Sequence, residues 1–156
     1  LGRALHDQKK LDGAIACYKK AIDIQPRDAS AHYDLGRALQ DQKKLDEAIV
    51  CFKKAVEIYP QFANAHRSLG MTHYRAGDWK AARAAFEKAR ELRKRGDSHD
   101  WFFLAMAHWQ LGNKDEARQW YDQAVAWMDL NQPSNEELRS LRMEAAALLG
   151  VKDSKD

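Results

Sequence analysis

Six histidines and two cysteines are the side chains in this 156-residue sequence best suited to metal binding, acid–base work or nucleophilic attack. A zinc site needs three or four such ligands at short, characteristic spacings, and no histidine pair here has a third ligand at the right distance. His32 and His66 lie one repeat apart, His73 and His108 recur in the same way, and His99 has no Cys or Ser nucleophile beside it in sequence. Their common period makes packing the expected role. Cys17 and Cys51 are also one period apart. Equivalent positions in packed neighbouring helices are about 10 Å apart, whereas a disulfide needs Cα atoms within about 7 Å. Two reduced thiols and a reducing, cytoplasmic setting are expected. The basic run Arg90, Arg93, Lys94, Arg95 could hold phosphate, but cations at a helix end more commonly answer the helix dipole. Neither a catalytic residue nor a metal or other cofactor is expected.

Composition narrows the partners further. Hydrophobic residues make up 45% and charged residues 31%, which fits a packed chain and not a disordered one. The net charge of +3 gives only a weak pull toward nucleic acid or an anionic membrane. No apolar run approaches the roughly 20 residues of a membrane span, and no secretory leader pattern is present. Neither nucleic acid nor membrane is an expected partner.

The elements that would position any site come from a repeat. Leu1-Gly2-Arg3-Ala4-Leu5 returns as Leu35-Gly36-Arg37-Ala38-Leu39, and Asp7-Gln8-Lys9-Lys10-Leu11-Asp12 as Asp41-Gln42-Lys43-Lys44-Leu45-Asp46. Ala14, Cys17, Ala21 and Pro26 return as Ala48, Cys51, Ala55 and Pro60, so about two thirds of the aligned positions are identical. Looser copies carry Leu69, Gly70, Ala82, Phe86 and Ala89, then Trp101, Leu104, Ala117, Tyr121 and Ala124. Apolar spacings of three and four predict two helices per copy, separated by short polar breaks such as Ala76-Gly77-Asp78. Gly36, Gly70 and Ala105 on the first helix, and Ala48, Ala82 and Ala117 on the second, allow close approach. Phe52, Phe86 and Tyr121 fill the space beside them. Pro26 and Pro60 end the second helix, because proline lacks the donor and clashes with the preceding turn.

The expected units are residues 1–28 (a first copy without the start of its first helix), 29–62, 63–97 and 98–131, followed by a capping helix over 134–150 and a frayed tail, 151–156. Ser134 with Glu137 predicts a capping box, and Leu138, Leu141, Ala145, Leu148 and Leu149 form one apolar stripe opposite Glu136, Arg139, Arg142 and Glu144. A cap of this kind closes a repeat array. The first copy, by contrast, is expected to leave an apolar face open, covered by preceding repeats or another domain, or by self-association. The exits Arg95-Gly96-Asp97 and Asn131-Gln132-Pro133 lack the terminal proline in its place and are expected to alter the superhelical angle.

On these residues the sequence resembles the tetratricopeptide repeat family, over roughly residues 1–130. The family pattern is matched by Leu35, Gly36, Ala48, Phe52, Ala55 and Pro60. It departs at His32 and His66, where the pattern has Trp; at Leu39, His73 and His108, where it has Tyr; and at Lys9 and Lys43, where it has Gly. The last repeat and cap are also similar to C-terminal repeat regions of large bacterial multidomain proteins, some with a Ser/Thr kinase domain, although no kinase motif occurs here. The resemblance implies an all-α, right-handed superhelical solenoid of antiparallel helix hairpins with a capping helix. It implies a protein-interaction scaffold, not an enzyme, whose concave groove holds a peptide or helix of a partner protein.

In the family the first helices line that groove. Here their free face supplies Arg3 and His6; Tyr33, Arg37 and Gln40; Arg67, Met71 and Tyr74; and Phe102, Met106 and Trp109, with Asn64 and Arg75 alongside. This stripe runs from arginine-rich to aromatic and methionine-rich. It suits an acidic peptide with apolar anchors, since Arg clamps carboxylates and Trp, Tyr and Met supply adaptable apolar area. The chaperone-type carboxylate clamp fits poorly, because Arg3, Asp34 and Ser68 stand where that pattern has Asn, Asn and Arg, and Asp34 would repel a carboxylate.

Overall fold

A computed structural model describes residues 2–8, 10–94 and 97–151. The described residues form helices and no strands, in the order α1 (Gly2–Asp7), α2 (Leu11–Ile24), α3 (Ala29–Asp41), α4 (Leu45–Ile58), α5 (Ala63–Arg75), α6 (Trp79–Arg93), α7 (Ser98–Gln110), α8 (Lys114–Asn131) and α9 (Glu136–Leu149). Helices α1 to α8 pack most extensively on their chain neighbours, and α3 also touches α5 while α5 touches α7. First helices therefore meet first helices along the inner layer, and the whole is an all-α superhelical solenoid. Helix α9 lies against α7 and α8, where the next helix pair of a longer array would pack.

The small and large positions explain the close packing. Ala14, Ala48, Ala82 and Ala117 are all fully buried, as are Phe52 and Phe86. A Cβ built on Gly36 would come within 2.7 Å of the Phe52 ring, and one on Gly70 within 3.0 Å of the Phe86 ring. Glycine in mid-helix costs about 1 kcal/mol, and here it makes room for an aromatic ring to lie against helix backbone.

Helix ends follow the polar breaks. Helices α2 and α4 stop two residues before Pro26 and Pro60. Asp28 caps α3 by accepting from the Ser30 and Ala31 backbone N–H groups, and Asp78 and Asp97 cap α6 and α7 in the same manner. The last helix corrects an expectation: its N-cap is Asn135, whose side chain accepts from Leu138 N, and not Ser134. Asn135 sits three residues before Leu138, the reach an N-cap needs. Arg142 also differs from its expected place on the polar side. It is buried and donates to Asp129 at 3.0 Å. The expectations for Leu1, Lys9, Arg95, Gly96 and 152–156 lie outside the described residues.

Turn geometry gives one testable outcome. Gly77 and Gly112 adopt φ of 82° and 83° between their helix pairs, and Lys43 is held at φ 60° in the corresponding turn. A side chain in the left-handed region costs about 1–2 kcal/mol, partly offset by the greater unfolded freedom of glycine. Lys43→Gly should therefore raise stability by about 0.5–1 kcal/mol, read as an upward shift of the urea midpoint with an unchanged slope.

Candidate functional site

The inner layer carries the candidate surface, and its residues fall into three environments. Phe102 and Met106, expected in the groove, are both at 0% exposure. Phe102 packs edge-on to Tyr121 with centroids 5.9 Å apart. Helix α7 is enclosed over the whole of Trp101–His108, between its hairpin partner and the cap, so these two side chains belong to the core. The groove expectation is corrected for both.

A second group is held in place by neighbouring elements, chiefly through pairs between successive first helices. Arg3 Nε donates to Asp34 at 2.7 Å, and His6 Nε2 lies 2.6 Å from Asp41. Gln40 donates to the Thr72 hydroxyl at 3.1 Å. Tyr33 packs between Phe52 and Phe62, at 5.8 and 4.9 Å. Arg67 is bound most heavily: it donates to Asp100 at 2.6 Å and also bonds Asp97. Arg93 reaches the same two carboxylates at 3.0 and 3.3 Å, and Asn64 at 2.8 Å. Burial pushes the Asp100 carboxyl up, against the pull of Arg67 and Arg93. Burial acts the same way on Asp97, but His99 and Arg67 outweigh it and hold that carboxyl well below the usual carboxylate range. Arg67 thus closes the junction between α5 and α7. Arg90 of the basic run lies 5.2 Å over the Trp120 ring, so both Arg90 and Arg93 have intramolecular roles.

The third group remains available. Arg37 and Arg75 are exposed, and Met71, Tyr74 and Trp109 are half-buried with one side on the core. Tyr74 rests on Trp79 and Phe103, and burial raises its hydroxyl to about 12, so it is a neutral donor at physiological pH. Lys114 lies 5.1 Å over the Trp109 ring.

The remaining histidines are structural. His32 and His66 each place Nε2 3.0 Å from the carbonyl of Pro26 and Pro60, tying the first helix to the preceding turn. Trp101, at the equivalent place in a copy with no preceding proline, leaves its indole N–H buried and unpaired. His73 and His108 are buried, and burial lowers both pKa values. Among the described residues no group of three metal-ligating side chains converges. No helix among them is long and apolar enough to cross a membrane.

This architecture and its periodic small, large and proline positions define a helical repeat protein. A family model described as TPR repeat matches residues 2–43, and one described as Tetratricopeptide repeat matches 27–95 and 61–129. The chain belongs to the tetratricopeptide repeat family. Solved structures similar to it include MamA, with TM-score 0.79 and 22% identity over 96% of this chain and 91% of that one. YrrB, described as a TPR protein with an unusual peptide-binding site, gives TM-score 0.76 and 21% identity over 97% and 76%. A tetratricopeptide repeat protein from Parabacteroides merdae gives 0.81 and 17% over 96% and 57%. At these identities the likeness establishes the fold. No curated protein matches the sequence.

Proposed function

We propose that this chain is a non-enzymatic scaffold that holds a peptide or helix of a partner protein along the inner face of α3, α5 and α7. The observation that carries this reading is the combination of half-buried Met71, Tyr74 and Trp109 with exposed Arg37 and Arg75 on one layer. Half-buried aromatic and Met side chains are already ordered by the core, so covering them costs little further entropy. An acidic partner with apolar anchors and a cytoplasmic setting fit the same face and the two free thiols.

The test is site-specific photo-crosslinking to an array of labelled octapeptides. A benzophenone side chain at Gln110, exposed at the end of α7, should capture peptide. The same group at Lys88, exposed on α6, should not. Equal capture from both places would remove the inner face as the site. Self-association is the competing reading, favoured by the cleft between Tyr18 and Ala31 and by Ile24, which is 81% exposed. A strict monomer in sedimentation across micromolar concentrations removes it.

A further inference from the structure

His99 is set between carboxylates from two different elements. Its Nδ1 lies 3.1 Å from Asp97, the N-cap of its own helix, and its Nε2 lies 3.5 Å from Glu137 in the first turn of α9. A neutral imidazole carries one N–H and one lone pair, so it can donate to only one of these acids. With the proton held at Nδ1 for Asp97, the Nε2 lone pair faces the Glu137 carboxylate and repels it. Only the imidazolium donates toward both. The contacts of His6 with Asp41, and of His32 and His66 with one carbonyl each, are satisfied by a neutral tautomer. The surroundings of His99 favour its cation. The Asp97 hydrogen bond raises the His99 pKa and partial burial opposes it; the Asp97 and Glu137 charges add to the rise, and Arg67 on α5 subtracts from it. The other charges of this end are engaged: Arg93 on α6 binds Asp97 and Asp100, Arg67 binds Asp100, and Asp129 on α8 binds Arg142.

We infer that His99 is a proton-operated latch on the cap: protonated, it ties the start of α9 to α7, and neutral, it lets that end loosen. Asp97 stays ionised throughout, because its carboxyl is held well below the usual carboxylate range. The Arg142–Asp129 bond and the buried Leu149 hold the later turns of α9 in both states. The response is therefore local to the first turns, where Leu138 is buried at 0% exposure. Its direction follows from the raised pKa in the folded chain. The stabilisation is complete below the unfolded histidine value of about 6.5 and is lost as pH rises through the folded value. The cap is thus firm in mild acid and loosens with rising pH, whatever the inner face binds.

Amide exchange and histidine titration on the whole chain test the latch. Between pH 6 and pH 8.5, with intrinsic base catalysis corrected, protection of residues 139–142 relative to α3 should fall about threefold, as befits an ion pair with one exposed partner. Glu137 is 72% exposed, so Glu137→Gln leaves the packing intact. That variant should abolish the fall, because an amide can accept from the imidazolium and donate to the neutral ring. The His99 Cε1 proton resonance should titrate at lower pH in Glu137→Gln than in the wild type. His99→Gln, which carries no charge at any pH, should show at pH 6 the weaker protection that the wild type shows at pH 8.5. Protection that does not change with pH relative to α3 overturns the inference. So does a fall that survives in Glu137→Gln, a His99 titration unmoved by that change, or full protection in His99→Gln.

Discussion

Replacing Arg67 by leucine should cost about 3 kcal/mol and loosen the α7–α9 end of the chain before the rest. Removing one member of a buried ion cluster is costly because it leaves its partners desolvated and uncompensated, typically by about 3–5 kcal/mol. The lower end applies here, since Arg67 and Asp97 retain partial exposure, with 23% and 28% of their side chains open to water. Asp100 is only 2% exposed, so it cannot recover by hydration. Arg93 would remain as the one guanidinium facing two carboxylates. Asp100→Asn should cost less, because the amide oxygen still accepts from Arg67 and the excess positive charge falls on Arg67 and Arg93, whose side chains are 23% and 19% exposed. The measurement is urea unfolding with amide exchange. Exchange in α7 and α9 should accelerate well beyond that in α3 and α4, because a repeat array couples chiefly through neighbours. A loss below about 1 kcal/mol would show that the cluster is screened as a surface pair, and would return Arg67 to the binding face.

That prediction marks where the sequence was a good guide and where it was not. The 34-residue period encodes contacts directly: each Gly-to-Phe and Ala-to-Ala relation repeats because every copy buries the same surfaces. Helix pairs, their breaks and the cap were legible for that reason. The inner face was legible only as a face. A stripe at i, i+4 and i+7 shows which residues point the same way, but not what the next helix sets against them. Arg67 therefore reads as free, although Asp100 on α7 and its N-cap Asp97 both bind it. One signal was in the sequence: Arg3 to Asp34 and Arg67 to Asp97 or Asp100 are separated by nearly the same distance along the chain. Phe102 and Met106 had a warning too. Trp101–Ala107 is apolar on every side, which is the pattern of a helix buried all round. Asn135 outcompeted Ser134 for a local reason, since one residue decides which side chain reaches the first free N–H groups.

The largest single loss is expected at the wedge between Gly36 and Phe52. Phe52→Ala should cost about 3–5 kcal/mol, the usual range for emptying a buried aromatic site, because its ring is at 0% exposure and supports Tyr33. The converse change tests the same contact from the other side. Gly36→Ala would gain about 1 kcal/mol in helix propensity on an exposed helix. Here the new methyl would meet the Phe52 ring at 2.7 and 2.9 Å, and the enclosed ring cannot swing aside as a surface side chain would. Overpacking of this kind costs about 1–3 kcal/mol, so the net effect should be destabilising despite the propensity. If small and large are halves of one contact, their losses must not add. Phe52→Leu removes the ring edge that the methyl strikes, so Gly36→Ala in a Phe52→Leu background should cost at least 1 kcal/mol less than in the wild type. Additive losses in that cycle would mean that Gly36 is needed for its backbone freedom alone. The helical conformation of Gly36, between Leu35 and Arg37 in the middle of α3, argues against that outcome. What Gly36 contributes is the absence of a side chain where an aromatic ring must lie.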